Sequence, residues 1–254
     1  MIKIEVLYPE IANLFGDLAN VRYMKASVPA CDVIETDLKS RPQFLDADNE
    51  ITLVYMGTMT ENAQLVAMDH LEPYRNEVRE AIARGQRFFF TGNAFEILAK
   101  EIVDLDDMPY DADHPRVDKQ SKTTRCLQLF DITVTRQMMH RFNSLYLGTY
   151  DDVEVVGFKS IFTHAKCNYA YEPLFRTVKG PGIDNTLTGE GIRYKNFMAT
   201  YLTGPLMVLN PPFLQRFLTE LGETEIALPH LDAAMEAYDQ RLREFKREGL
   251  NYNY

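Results

Sequence analysis

The chain has 254 residues, 46% hydrophobic and 25% charged, with a formal net charge of -10. That length supports one large domain with a substantial core. A surface this acidic repels nucleic acid phosphates and anionic lipid heads, which excludes both as expected partners. Cys31, Cys126 and Cys167 are few and far apart, which points to a reducing, cytoplasmic setting rather than a disulfide framework.

In chain order, Ile2, Ile4 and Val6 alternate with polar residues and predict a strand, with no signal-peptide pattern at Met1. Asn13 to Asp17 reads as a turn, and Leu18 to Ala26 as a helix. Ile51 to Met56 is a continuous apolar run stopped by Gly57, the mark of a strand buried on both faces. Pro73 suits a first helical position. Tyr74, Val78, Ala81 and Ile82 then form one helical face that ends at Gly85. Phe88-Phe89-Phe90 predicts a second buried strand. Thr91 to Ala94 turns the chain, and a helix is expected from Phe95 to Lys100. This alternation defines the expected fold class: α/β, with a mostly parallel central sheet and helices on both faces.

The polar stretch from Asp104 to Lys122 reads as a surface loop. Short strands are expected around 127–135, 153–158 and 174–178, followed by a loop through Gly180-Pro181-Gly182 and Asp184-Asn185. A late strand runs from Tyr194 to Leu202 and is broken by Thr203-Gly204-Pro205. Leu231, Met235, Tyr238, Leu242 and Phe245 place one apolar stripe on a final helix, read as packing on its own domain. The domain expected over 1–220 thus carries a helical extension over 221–254.

Four segments resemble one family. They are Leu7-Tyr8-Pro9-Glu10 with Asn13-Leu14-Phe15-Gly16-Asp17 and Asn20; Tyr55-Met56-Gly57 with Gln64; Phe90 through Leu98; and Gly191 through Asn196 with Thr200-Tyr201-Leu202-Thr203-Gly204-Pro205 and Asn210-Pro211. In this order they resemble the CobB/CobQ type of class I glutamine amidotransferase domain, closest to GatD, the glutaminase subunit of lipid II isoglutaminyl synthase. The resemblance spans roughly Met1 to Leu218 and is weakest in the middle. It implies a flavodoxin-like layered fold and a glutaminase that feeds ammonia to a Mur-ligase-like synthetase. In such enzymes a cysteine on a sharp strand-to-helix turn attacks the glutamine amide, a histidine takes its proton, and backbone N–H groups receive the oxyanion.

This sequence departs from the pattern at both catalytic positions. The nucleophile position falls on Gly92 and the histidine position on Thr203, whose hydroxyl is no base near neutral pH. The glycine run of the oxyanion loop becomes Gly57-Thr58-Met59, and Asn93 follows the nucleophile position. The expected pocket residues are therefore Gly57, Thr58 and Asn93, with no intact catalytic residue. Arg141 resembles a family arginine near the glutaminase pocket. It reads equally as a carboxylate-binding fork or as a surface ion-pair partner. Thr91 could act as a nucleophile only if a base activated it, and the structural role is favoured. His164 and Cys167 read as a chance pair. No His/Cys/Asp spacing suggests a metal and no Gly-rich phosphate loop is present, so no cofactor is expected.

The favoured function is a non-catalytic binding or partner subunit of a Mur-ligase-like amidating synthetase. The alternative is an active glutaminase that supplies ammonia for amidation of lipid II D-glutamate or a related acid. Two structural expectations follow. The cleft above Gly92 should persist as a pocket for a small carboxylate or glutamine-like ligand, with Arg141 at its rim. Restoring cysteine at 92 and histidine at 203 should be structurally inexpensive.

Overall fold

The computed structural model describes residues 2–106, 113–167, 171–184 and 189–253. The strands are β1 (Ile2–Leu7), β2 (Cys31–Thr36), β3 (Leu53–Met56), β4 (Phe88–Thr91), β5 (Glu101–Asp104), β6 (Val117–Asp118), β7 (Thr123–Arg125) and β8 (Ile132–Arg136). They continue as β9 (Phe142–Tyr150), β10 (Val153–Ile161), β11 (Thr163–Cys167), β12 (Phe175–Lys179), β13 (Gly189–Glu190), β14 (Ile192–Tyr194) and β15 (Phe197–Thr200). The α-helices are α1 (Leu18–Ser27), α2 (Glu61–Leu71), α3 (Arg75–Ala83), α4 (Leu206–Leu209), α5 (Pro211–Glu220) and α6 (Leu231–Lys246).

The central sheet has the order β14-β15-β4-β3-β1-β2. Every neighbouring pair is parallel except the edge pair β14–β15. Helices α1 and α5 pack on one face, over Ile4, Val6, Tyr55 and Phe89. Helices α2 and α3 cover the other, over Val54, Met56, Phe88 and Phe90. Double coverage explains why β3 and β4 read as unbroken apolar runs: all four residues of each are buried. It also buries the polar side of β1. Glu5 is fully buried, and its carboxylate accepts from Thr36 Oγ1, Gln43 N and Phe44 N at 2.6, 2.6 and 2.7 Å.

Beyond this layer lie two smaller sheets, β10-β9-β12-β13 and β11-β8-β5-β7-β6. The helix expected from Phe95 is instead a single 3-10 segment, Gly92–Leu98, after which the chain leaves into β5. The buried Glu96 terminates that path. It accepts from Gln64 Nε2, Thr163 Oγ1 and Tyr201 OH at 2.9, 2.6 and 2.8 Å, fixing the turn to three other elements. The expected loop over 104–122 holds β6 and the buried Arg116, which is clamped by Asp69 and Glu72; its residues 107–112 lie outside the described ones. Asn185 of the expected 180–185 loop also lies outside them. In α6, Tyr238 is buried and donates to Glu154 O, while Leu242 and Phe245 pack on Leu147, Val156 and Tyr252. The stripe therefore packs on its own chain. No helix among the described residues is long and apolar enough to cross a membrane.

Candidate functional site

The carboxyl ends of β1, β3, β4 and β15 converge on one buried carboxylate, Asp17. Parallel open sheets gather ligand sites at this end because every strand-to-helix turn emerges there. Asp17 stands just before α1 and has the position of a helix cap, yet it caps nothing. Asn13 Oδ1 accepts the Leu18 N–H at 3.0 Å in its place, leaving the Asp17 carboxylate to point across the sheet ends. There its Oδ2 accepts from Thr58 N (2.6 Å), Thr58 Oγ1 (2.5 Å) and Thr91 Oγ1 (3.0 Å), and its Oδ1 accepts from Gly204 N (2.9 Å). One side chain thus ties together all four segments that carried the family resemblance. Burial pushes the Asp17 carboxyl up from the ordinary range, opposed by these four donors. The positive end of α1 beside it favours the charged form.

A second layer holds this hub. Tyr55 OH donates to the Asp17 carbonyl at 3.0 Å, lies 3.0 Å from Thr91 Oγ1, and accepts from Asn20 Nδ2 at 3.0 Å. Asn20 in turn accepts from Met207 N at 2.8 Å. Burial holds the Tyr55 phenol protonated, far above its usual range. Every member is buried and bonded, the condition under which a polar network rigidifies a core.

Gly92 follows β4 with φ +59. Positive φ at a sharp strand-to-helix turn is the backbone of a nucleophile elbow, strained for any residue with a Cβ. A Cβ built on Gly92 would overlap Thr58 Oγ1 and stand 2.7 Å from Thr58 Cγ2. The Thr58 side chain therefore occupies the space into which a side chain at 92 would project. This corrects the expectation that cysteine could be restored at 92 cheaply: Thr58 must leave first. Gly57 is fixed by a similar close approach, since a Cβ there would lie 2.9 Å from the Asp17 Cβ.

The loop's backbone donors are also committed. Thr58 N–H goes to Asp17, and Met59 N–H goes to Asn93 Oδ1 at 3.0 Å, while Asn93 Nδ2 donates back to Met59 O at 2.9 Å. Asn93 is thus a clamp on the loop, and its own carbonyl accepts from Gln64 Nε2 at 2.8 Å. Thr203 lies three residues beyond Thr200, which pairs with Thr91 across β15 and β4. Its N–H and hydroxyl both donate to the Phe158 carbonyl, at 2.9 and 3.2 Å. Gly57, Thr58, Gly92, Asn93 and Thr203 are all buried.

Arg141 is placed otherwise. Its guanidinium is exposed, donates to Ser160 Oγ at 3.1 Å, and lies over the Phe162 ring at 4.2 Å. None of these contacts reaches the Asp17 cluster. Thr91 is fully buried, and its hydroxyl is shared between Asp17 and Tyr55, so no substrate reaches it. His164 and Cys167 stand three apart on β11, hence on opposite faces. Burial raises the Cys167 thiol to about 11, and it raises the thiols of Cys31 and Cys126 as well. No cluster of metal-binding side chains occurs among the described residues. Asp17 is the residue to which sequence reading gave no role. The available signal was Thr58, a β-branched residue where the family places glycine.

No protein-family model matches the chain, and no curated protein matches it. Among solved structures, a chain of PurLQS from Thermotoga maritima superposes with a TM-score of 0.54 at 10% identity, covering 95% of this chain and 99% of that one. A glutamine amidotransferase superposes with a TM-score of 0.51 at 15% identity, covering 87% of this chain and 99% of that one. The fold is that of the glutamine amidotransferases.

Proposed function

We propose that this chain is a GatD-like amidotransferase homologue that has lost glutaminase chemistry and serves as a non-catalytic binding or partner subunit of an amidating synthetase of the Mur-ligase type. One observation carries the loss of chemistry: the Thr58 side chain, held by the Asp17 carboxylate, fills the space beside Gly92. Acyl transfer from glutamine needs a nucleophile, a base and unoccupied donors aimed at the developing oxyanion. Gly92 supplies no nucleophile and Thr203 no base. Of the loop donors, one already binds an internal anion and another an internal amide. A carboxylate fixed beside them would also repel the oxyanion of a tetrahedral intermediate.

The partner role rests on the family resemblance together with a site that is closed yet fully bonded. The test is co-expression with a Mur-ligase-like ATPase encoded nearby. A stable complex whose amidation runs on free ammonia and not on glutamine supports the reading. Glutamine-dependent amidation by the complex refutes it.

A further inference from the structure

A cavity of 580 Å³ opens at the far end of the β9–β10 hairpin, bounded by β11, the Gly180-Pro181 turn and the C-terminal Tyr252-Asn253. It lies across the hairpin from Arg141. Side chains alternate along a strand, so Lys159 and Ile161 face the cavity while Ser160 faces the other way and holds Arg141. Its size suits a small organic ligand.

Three observations fix its chemistry. The lining carries His140, His164 and Lys159 and, among the described residues, no aspartate or glutamate. Lys159 is paired with Glu190, so the basic character of the lining rests on the two histidines. Next, His164 Nε2 is buried with no hydrogen-bond partner among the described residues. Such an atom is expensive to leave unmet, and a ligand oxygen would satisfy it. Finally, Phe142, Ile161, Pro181 and Tyr252 give the wall an apolar and aromatic stretch, beside the uncharged polar Asn143, Ser144 and Asn253. Lys159 is not itself the ligand's donor. Its ammonium is committed to Pro181 O, Gly182 O and Glu190 Oε2 at 2.7, 2.5 and 2.9 Å, which fixes the turn that forms one wall. The wall opposite is closed by the chain's own tail, where Leu145 N–H donates to Tyr252 O at 2.9 Å.

We propose that this cavity binds a small organic carboxylate with an apolar body, its carboxylate at His164 and its body against Phe142 and Tyr252. The site is independent of the proposed function, since it shares no residue with the Asp17 cluster. The charged groups around His164 are Lys159, His140 and Asp184. Burial, and then Lys159, hold the free imidazole below its usual range. A bound carboxylate favours the imidazolium, so affinity should rise as pH falls, about tenfold for each unit by which binding displaces the imidazole.

The test titrates the uniformly labelled wild-type protein with benzoate and follows its five histidines by NMR. His164 and His140 should shift together and saturate at millimolar benzoate, more tightly at pH 6 than at pH 8, while His70, His114 and His230 stay still. Benzyl alcohol should bind at least about tenfold more weakly, and His164→Gln should cost a similar factor with benzoate. No shift at His164, equal affinity for the alcohol, or benzoate binding unchanged by His164→Gln would each overturn the proposal.

Discussion

At the scale of single residues, the site depends on how Asp17, Thr58 and Gly92 fit one another. Asp17→Ala would leave four donors facing a void and should cost about 2–4 kcal/mol, measurable by urea denaturation. Gly92→Ala adds a methyl in a left-handed conformation against Thr58 and should cost about 3 kcal/mol. Thr58→Gly removes the obstruction, so a double-mutant cycle between 58 and 92 should show a favourable coupling of at least about 1 kcal/mol. Strict additivity would mean that the two side-chain positions do not meet. The tight turn at Gly92 after a buried strand was legible in the sequence, because the apolar run Phe88-Phe89-Phe90 ends there. The plug was not, because a carboxylate in a turn reads as a helix cap. Only the fold reveals that Asn13 takes the capping role and frees Asp17.

At the scale of elements, the best-read strands were those buried on both faces, since a short apolar run closed by a glycine fits a doubly covered strand and little else. The helix Glu61–Leu71 escaped notice because its moderate apolar content shows no clean stripe, and because Pro73 suggested a later start. The small sheets were only partly legible. Their strands, such as β9, mix polar and apolar residues and are ordered by partners distant in sequence. One such partner is ionic. Arg136 on β8 pairs with Asp104 on β5 through bonds of 2.8 and 3.2 Å, both side chains almost wholly buried. Asp104→Ala strands a buried guanidinium and should cost about 3–5 kcal/mol in denaturant titration. In α6 the stripe is graded. Phe245→Ala, against Tyr252, should lower stability by about 1–2 kcal/mol, whereas Leu231→Ser at the 45% exposed first turn should be near neutral.

At the scale of the whole molecule, three buried carboxyls, Glu5, Asp17 and Glu96, are all pushed up by burial against their hydrogen bonds. A folded carboxyl with raised affinity for its proton contributes stability below its unfolded value, near 4, and loses that contribution as pH rises through the folded value. The urea midpoint should therefore fall from pH 5 to pH 8. Replacing Asp17 by Asn should flatten that slope even as it lowers the curve. A midpoint that instead rises over this interval would mean that the hydrogen bonds outweigh burial. The acidic surface adds repulsion with the same sign, so the comparison between wild type and Asp17→Asn isolates the buried group.

The proposed loss of glutaminase chemistry follows from Thr58 standing where a side chain at 92 would project. It is tested most directly by measuring ammonia release from glutamine by the purified, dialysed protein alongside its Thr58→Gly/Gly92→Cys/Thr203→His variant. Release from the wild type should stay at background at every glutamine concentration, with any activity confined to the triple variant. Saturable ammonia release by the wild type, abolished by a thiol-blocking reagent, would contradict it.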